Sequence, residues 1–557
     1  MKLSGSQIII ECLVEQGVDT VFGYPGGAVL NIYDELYKNS DRIRHILTSH
    51  EQGASHAADG YARSTGKTGV CIATSGPGAT NLVTGIATAY MDSSPVVAIT
   101  GNVTTSLLGK DSFQEIDITG ITMPITKHNY IVKDISKLAD VIREAFKIAR
   151  SGRPGPVLVD IAKDVTDPKN LYEYEPKQIS FSEPARHIPV IYDDQLEEIA
   201  KIINSAKKPF IYAGGGVIRS NASEELNEFA EIIDAPTSTS LMGIGAFDQK
   251  NKLSTGLIGM HGTVASNKAV CECDLLLALG VRFSDRVYSN KLHFAENAKI
   301  IQIDIDLAEI NKNCPTDYSL VMDLKEFFIR IKKYLLKKNN EEWVKHIQDY
   351  KKIFADNQKD DVLRPRYFME AIEELTKGDC FIATEVGQHQ LWAAQYFNYR
   401  KPKRLITSGG LGTMGFGLGA SIGTQIGNPD AIVFNIAGDG SFRMNMNELL
   451  TMSKYNIPVI VVVANNGVLG MVRQWQTAFY GKRYSQTILD TELNYEYLAK
   501  AMGVDYYYAD TKASYKKAVE DAIKNRRPTI INAIVATDEK VLPMVAPGKP
   551  IDDIMLK

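Results

Sequence analysis

The sequence predicts an α/β protein of three domains, each a parallel sheet flanked by helices. Two observations carry this. Short apolar runs of strand length recur along the chain, bounded by Pro or Gly and alternating with helical patterns; near-continuous apolar strands suit parallel sheets covered on both faces. Two polar segments then break the rhythm and cut the 557 residues into pieces of ordinary domain size, 1–165, 190–335 and 365–557.

In the first piece the strand runs are Pro95–Gly101 and Pro156–Ile161. Residues 165–190 are polar, contain Pro and are rich in Glu, Tyr and Ser, and read as a linker. The middle piece supplies Pro209–Gly214, Asp274–Gly280 and Lys299–Asp306. Residues 331–365 carry Lys337-Lys338-Asn339-Asn340-Glu341-Glu342 and read as a charged surface helix followed by a connection. The last piece has Ala431–Gly438, Pro458–Asn465 and Pro528–Val535.

Composition narrows the class. Sixty-two Lys and Arg against 66 Asp and Glu leave a formal net charge of −4. So small a balance argues against a general binder of nucleic acid or anionic membranes, which needs a basic surface to release counterions. No run approaches the ~18 apolar residues of a membrane span. The N-terminus runs straight into a helical pattern without a targeting segment. Six cysteines, with a lone Cys271-x-Cys273 pair, support neither a disulfide framework nor a zinc site. The expectation is a cytoplasmic, multidomain enzyme.

The most specific chemistry lies in the last third. Gly438-Asp439-Gly440 closes one apolar run and Asn465-Asn466 closes the next, with the 24 residues 441–464 between them. A strand ending in G-D-G places a carboxylate at the carboxyl edge of a sheet, where ligands of open α/β sheets bind. The glycines let backbone amides approach an anion. The next strand brings an amide oxygen to the same edge. One carboxylate and one amide make a lean oxygen set that suits Mg²⁺ with phosphate oxygens and water completing it. Taken singly, Asp439 reads as a helix cap and the Asn pair as a turn; their interval, both at strand ends, favours the ligand reading.

This G-D-G…N-N pattern resembles the signature of thiamine diphosphate enzymes. The resemblance implies Mg²⁺ held by Asp439, Asn466 and the carbonyl of Val468, with Gly438 and Gly440 flanking the diphosphate. A second match is His50-Glu51-Gln52-Gly53-Ala54 through Gly60-Tyr61-Ala62-Arg63. A Glu opening a helix is favoured by the dipole alone. In this family a Glu so placed hydrogen-bonds N1′ of the aminopyrimidine and promotes the tautomer that deprotonates the thiazolium, so the resemblance assigns that task to Glu51. Thr74–Asn81 is a strand-to-helix Gly loop of the kind found in pyrimidine-binding domains.

Gly470-Met471-Val472-Arg473-Gln474-Trp475-Gln476 is similar to the corresponding run of biosynthetic acetohydroxyacid (acetolactate) synthase catalytic subunits, and the likeness spans the chain. It implies thiamine-diphosphate-binding folds at both ends and a Rossmann-like middle domain with FAD. It also implies condensation of pyruvate with a second 2-ketoacid, pyruvate or 2-ketobutyrate, for branched-chain amino acid biosynthesis. Trp475, in a polar, loop-like stretch, would favour the larger second substrate, a discrimination worth roughly 1–3 kcal/mol per methylene; a packing role is its other reading. The carbonyl of Gly412 would accept the 4′-amino group, and Met414 would wedge between the cofactor rings. Gln114, in Phe113-Gln114-Glu115, would face the intermediate, and Lys163 would stand near where substrate arrives. Arg286, in Arg282-Phe283-Ser284-Asp285-Arg286, would pair the ketoacid carboxylate, as a planar guanidinium can; on its own it reads as a surface Arg. FAD positions would be Arg153, His261, Arg282, Asp304 and Asp323, the two Asp following the strand Lys299–Ile303, with a purely structural His261 equally open.

The resemblance further implies a homodimer, or a dimer of dimers, with each site shared between the first domain of one subunit and the third of its partner, and a small regulatory subunit. Gly214-Gly215-Gly216 does not fit a nicotinamide fingerprint. Asn447 stands where the family usually has Gln, and Pro543–Gly548 resembles its C-terminal tail, which folds over the active site. Pyruvate oxidases and simple ketoacid decarboxylases share the scaffold and are the nearest rivals. A flavin-free catabolic acetolactate synthase fits Gln474-Trp475-Gln476 and Arg282–Arg286 less well, and a non-catalytic cofactor-binding regulator fits poorly with Glu51, Asp439 and Asn466 all present.

Overall fold

The computed structural model describes residues 1–177, 191–354, 362–489, 491 and 493–557. It holds three six-stranded sheets, parallel throughout. The first runs, edge to edge, Arg44–Leu47, Thr20–Tyr24, Gly69–Ala73, Val96–Asn102, Val157–Ala162, His128–Val132. The third runs Leu405–Ile406, Phe381–Thr384, Val433–Gly438, Ile460–Asn465, Thr529–Ile534, Asp505–Ala509. Counted in chain order, both have the strand order 2-1-3-4-6-5. The middle sheet, Ser254–Leu257, Thr237–Thr239, Pro209–Ala213, Leu275–Leu279, Lys299–Asp304, Tyr318–Val321, has the order 3-2-1-4-5-6 of dinucleotide-binding folds. Its central strands Pro209–Ala213 and Leu275–Leu279 are wholly buried, which is why they read as unbroken apolar runs.

The linker expected at 165–190 is corrected in its first part. Leu171–Glu173 pairs antiparallel with Lys2–Ser4, and Tyr174 is buried with its carbonyl accepting from the Met1 ammonium. The strand Leu171–Glu173 is exposed along its length, so its surroundings keep the polar composition of a linker and composition misleads there. Residues 178–190 lie outside the described residues. The charged helix is present as Glu341–Tyr350. It docks on the middle sheet through buried Trp343 and Ile347, and the Trp343 indole donates to the Pro209 carbonyl at 2.9 Å. Residues 355–361 are likewise outside the described set. Among the described residues, no helix is long and apolar enough to cross a membrane.

First and third sheets meet through two helices, Glu51–Thr65 and Phe416–Gly427. Their seam is made of Gly and Ala. A Cβ on Gly60 would collide with the backbone of Ala420, and one on Gly423 with the carbonyl of Ala57. The small residues are thus a packing requirement, because the helices touch backbone to backbone. Beside the seam Arg63 is buried, paired with Asp59 at 2.7 Å and Asp92 at 3.1 Å, and it donates to the Thr407 carbonyl at 2.6 Å. Breaking the seam by Gly423→Ala should destabilise the protein by roughly 1–3 kcal/mol, the usual cost of overpacking, read as a lower thermal midpoint than that of an exposed control substitution.

Candidate active site

In the first domain, Glu51, Gln114 and Lys163 follow carboxyl ends of strands. Glu51 opens the helix after Arg44–Leu47, with His50 as its cap. Its carboxylate accepts from the Asn81 amide at 2.9 Å and lies against Gly78, where a Cβ would stand 3.3 Å from Oε1. Gly76, with φ +60°, lets the Thr74–Asn81 loop pass Gln114: a Cβ there would sit 2.9 Å from the Gln114 Cα. Gln114 itself has φ +58°, in a turn cinched by Glu115, whose carboxylate accepts backbone N–H groups of Gly109, Lys110 and Ser112. Lys163 is exposed just beyond Val157–Ala162. Phe113, next to Gln114, is 87% exposed.

The third-domain candidates form a second group. Asp439 starts the helix after Val433–Gly438. Its Oδ1 accepts from the Gly440 amide at 2.9 Å and its Oδ2 from the Gly467 amide at 2.8 Å, which ties the two strand ends together. Asn466 Oδ1 accepts from the Val468 amide at 3.2 Å. Burial pushes the Asp439 carboxyl up to about 6, against the pull of those backbone amides. The 467–469 loop is strapped from outside: Leu469 donates to Thr487 and Leu489 to Gly467. Met414 is half-buried two residues past Gly412, which has φ +71° and open space where a Cβ would be.

A third group lines a cavity of about 1290 Å³ at the carboxyl edge of the middle sheet: Arg153, His261, Arg282, Arg286, Asp304 and Asp323, joined by Gly412, Met471 and Trp475 from the third domain. Glu51, Gln114, Lys163, Asp439 and Asn466 do not line it. At its floor Gly214 and Gly216 press on Gly280 so closely that a Cβ on Gly214 would meet the Gly280 carbonyl; this is the switch point of the sheet, the place where such sheets bind ligands. His261 is nearly buried, held neutral by desolvation with its pKa down to about 4, and its Nδ1 has no partner. Desolvation lifts Asp304 to about 6. Arg153 pairs with Glu309 at 2.7 Å, and Arg282 donates to the Met91 carbonyl at 2.7 Å. Arg286 is exposed, its guanidinium against the Met260 sulfur.

Two placements differ from expectation. Trp475 sits on a helix, Gly470–Phe479, rather than in a loop, packed edge-on against Phe479 with its indole N–H buried and unpartnered; the helix buries polar Gln474 and exposes apolar Val472, which inverts the pattern that marks an amphipathic helix. Asp323 follows Tyr318–Val321, not the preceding strand, and caps the helix Leu324–Ile331 through the amides of Lys325 and Glu326.

Comparison with known families matches three segments of the chain. Residues 3–121 match the N-terminal TPP binding domain of thiamine pyrophosphate enzymes, 196–331 their central domain and 385–533 their C-terminal TPP binding domain. A probable acetolactate synthase large subunit of Methanocaldococcus jannaschii is 45% identical, covering 99% of this chain and 95% of its own. The acetolactate synthase large subunit of Porphyra purpurea is 44% identical (98% and 94%), and the acetolactate synthase of Arthrospira platensis 44% (100% and 98%). The chain belongs to the acetolactate synthase family of thiamine pyrophosphate enzymes.

In this family member, three side chains at the cofactor domains escaped sequence reasoning. Glu385, fully buried after Phe381–Thr384, accepts from the Gly415 amide at 2.7 Å and the Leu418 amide at 3.0 Å at the start of the Phe416–Gly427 helix. His389 is buried against Gly387 and Gly438, with its Nε2 unpartnered. Glu448, following the Asp439–Asn445 helix, accepts from the Ser49 and His50 amides at 3.0–3.2 Å and so fixes the start of the helix that carries Glu51. Only the Asn447-Glu448-Leu449 run had drawn notice, for its Asn. The Tyr24–Ala28 loop also reaches the first group, the Ala28 amide donating to Thr74 at 3.3 Å.

Glu385 gives a pH signature. Burial raises its carboxyl from 4.5 to about 7 despite the backbone donors. The folded chain therefore holds the proton more tightly than the unfolded one, and this group's contribution is fully present below about 4.5 and lost as pH rises through 7. Thermal midpoints of Glu385→Gln should fall less steeply than wild type between those limits.

Proposed function

We propose that the chain is the catalytic subunit of an acetolactate synthase that uses thiamine diphosphate, Mg²⁺ and FAD. It joins pyruvate to a second pyruvate, or to 2-ketobutyrate, with loss of CO2, giving 2-acetolactate or 2-aceto-2-hydroxybutyrate for branched-chain amino acid synthesis. The carrying observation is likeness to acetolactate synthase large subunits over nearly the whole chain, with Arg286 and Trp475 lining one cavity beside Gly412.

The donors fit the groups assigned to them. Asp439 and Asn466 offer oxygens at adjoining strand ends, with the Val468 carbonyl as third ligand, the hard oxygen set that Mg²⁺ takes. The unpartnered Nε2 of His389, beside Gly438, suits a phosphate oxygen. The large cavity, its glycine floor and the free His261 Nδ1 suit an extended flavin dinucleotide, held by Arg153, His261, Arg282, Asp304 and Asp323. When bound, thiamine diphosphate supplies a nucleophilic carbon for the ketone of a 2-ketoacid and a sink for the electron pair left by CO2.

The protein supplies proton handling, orientation and exclusion of water. Glu51, steadied by Asn81, holds a proton at the aminopyrimidine. Gln114, on its strained turn, and Lys163 line the approach. Arg286 pairs the ketoacid carboxylate, and Trp475 shapes the space for the second substrate. Balance is kept without an oxidant: two pyruvates and one proton become acetolactate and CO2.

A second copy of the chain completes the site in this reading. Glu51 and Asp439 belong to separate groups, and both of their domains expose apolar side chains: Phe113 (next to Gln114), Leu107 and Met123 in the first, Leu411 (next to Gly412), Val472 and Ile488 in the third. Apolar surface of that kind around a polar site marks an interface. That relatives are named large subunits supports a smaller regulatory partner.

The deciding assay supplies purified protein with the three cofactors and pyruvate, alone and with 2-ketobutyrate. Acetolactate and acetohydroxybutyrate are the expected products; acetaldehyde, acetyl phosphate or peroxide in their place would overturn the proposal. Glu51→Gln should keep thiamine diphosphate bound yet slow exchange of the cofactor C2 proton at least about tenfold. Because proton and metal compete for Asp439, apparent Mg²⁺ affinity should be flat above about pH 6 and fall toward about tenfold per unit below it, as isothermal titration at several pH values would read.

A further inference from the structure

The loop from Ser408 to Gly415 is shaped from outside its own domain. The helix Val83–Met91 of the first domain ends at Asp92, and both Asp92 oxygens point at the loop: Oδ1 accepts from the Gly410 amide at 2.7 Å and Oδ2 from the Gly409 amide at 3.1 Å. One turn earlier on the same helix, Thr88 meets Thr413 hydroxyl to hydroxyl at 2.7 Å, fully buried. Thr88 gives its own proton to the Thr84 carbonyl at 2.8 Å, so Thr413 donates and Thr88 accepts. Gly410 lies so close to the helix end that a Cβ would come within 2.9 Å of the Met91 Cβ.

Between these two fastenings only Leu411 and Gly412 are free. Leu411 is 44% exposed, and Gly412 has its positive φ and open space beyond. The far end is closed by the loop's own domain: the Thr413 backbone amide donates to the Ser408 hydroxyl at 3.0 Å and the Asn445 side-chain amide to the Gly415 carbonyl at 2.7 Å. The Asp92 end is braced in turn. Arg63 bridges Asp92 to the Thr407 carbonyl, and Arg219 of the middle domain donates to the Asp92 carbonyl at 3.3 Å.

We propose that Asp92 and Thr88 are positioning residues for cofactor binding: the first domain's helix end is the template on which the third domain's loop is bent so that Gly412 presents its carbonyl. A carboxylate facing two successive amides, and a hydroxyl one helical turn away, set two points of a bow whose apex is Gly412. The inference rests on the assignment of Gly412 to the cofactor. It separates loop geometry from the metal end of the site, since neither residue touches Asp439 or Asn466.

The test compares wild type, Thr88→Val, Thr88→Ser and Asp92→Asn as full-length proteins with Mg²⁺ held constant. Thiamine diphosphate binding is followed by quenching of protein fluorescence, alongside thermal midpoint, flavin content, and kcat and KM for pyruvate. Thr88→Val should weaken thiamine diphosphate roughly fivefold, the worth of one buried hydrogen bond, and lower kcat while KM for pyruvate and flavin content hold. Thr88→Ser, which keeps the acceptor, should restore binding, and Asp92→Asn should weaken it at least as much as Thr88→Val. Unchanged affinity in Thr88→Val with only a lower thermal midpoint would overturn the template, as would Thr88→Ser impaired as badly as Thr88→Val. Should Asp92→Asn fail to fold, the Thr88 pair decides alone. Failure of wild type to bind thiamine diphosphate would instead refute the cofactor reading itself.

Discussion

Two helices can lie backbone against backbone only where one residue of each contact lacks a side chain and its partner's is small, and the seam between Glu51–Thr65 and Phe416–Gly427 imposes that condition on both ends of the protein. Gly60 against Ala420 and Gly423 against Ala57 leave no freedom for the helices to slide. Several of the candidate groups are hung from this contact. Glu51 starts one helix, while the other emerges from the loop that carries Gly412 and Met414. Glu448 reaches across to the amides before Glu51, and Glu385 anchors the opposite helix start. A shift at the seam would move each of these groups relative to the others.

The first and third sheets repeat one strand order around this contact, and each puts its reactive groups at carboxyl strand ends near the point where the order reverses. The repetition is one of architecture, with different chemistry at each end: an acid steadied by Asn81 in one, a carboxylate tied to an adjoining strand's amide in the other. The middle sheet follows a different order and holds the large cavity at its own reversal point, where three glycines let the strands' ends approach.

Much of this was legible because the signals were local. A strand end, a glycine and a carboxylate stand within three residues at Asp439, and the amide that completes the set closes the next strand. The seam of small residues likewise printed itself as Gly and Ala in the Glu51 helix, although sequence did not say what lay against it. Asp92, Glu385 and His389 were silent, since each draws its meaning from a partner distant in the chain: Asp92 from amides more than three hundred positions on. Trp475 was misplaced in a loop because its helix buries a Gln and exposes a Val, the reverse of the usual pattern. The ribbon at Leu171–Glu173 was taken for linker because both of its faces are wet. Neighbourhood was readable; company kept across the fold was not.

Arg63, Asp59 and Asp92 are buried together, and half-buried Arg219 of the middle domain, at the cavity wall, donates to the Asp92 carbonyl, a set of two positive and two negative charges that also touches the third domain. Losing Arg63, Asp59 or Asp92 alone strands an uncompensated charge away from water, which is far costlier than removing an opposed pair together. Sequence drift at these positions is therefore expected to be epistatic: homologues should alter them in matched couples or leave the quartet whole.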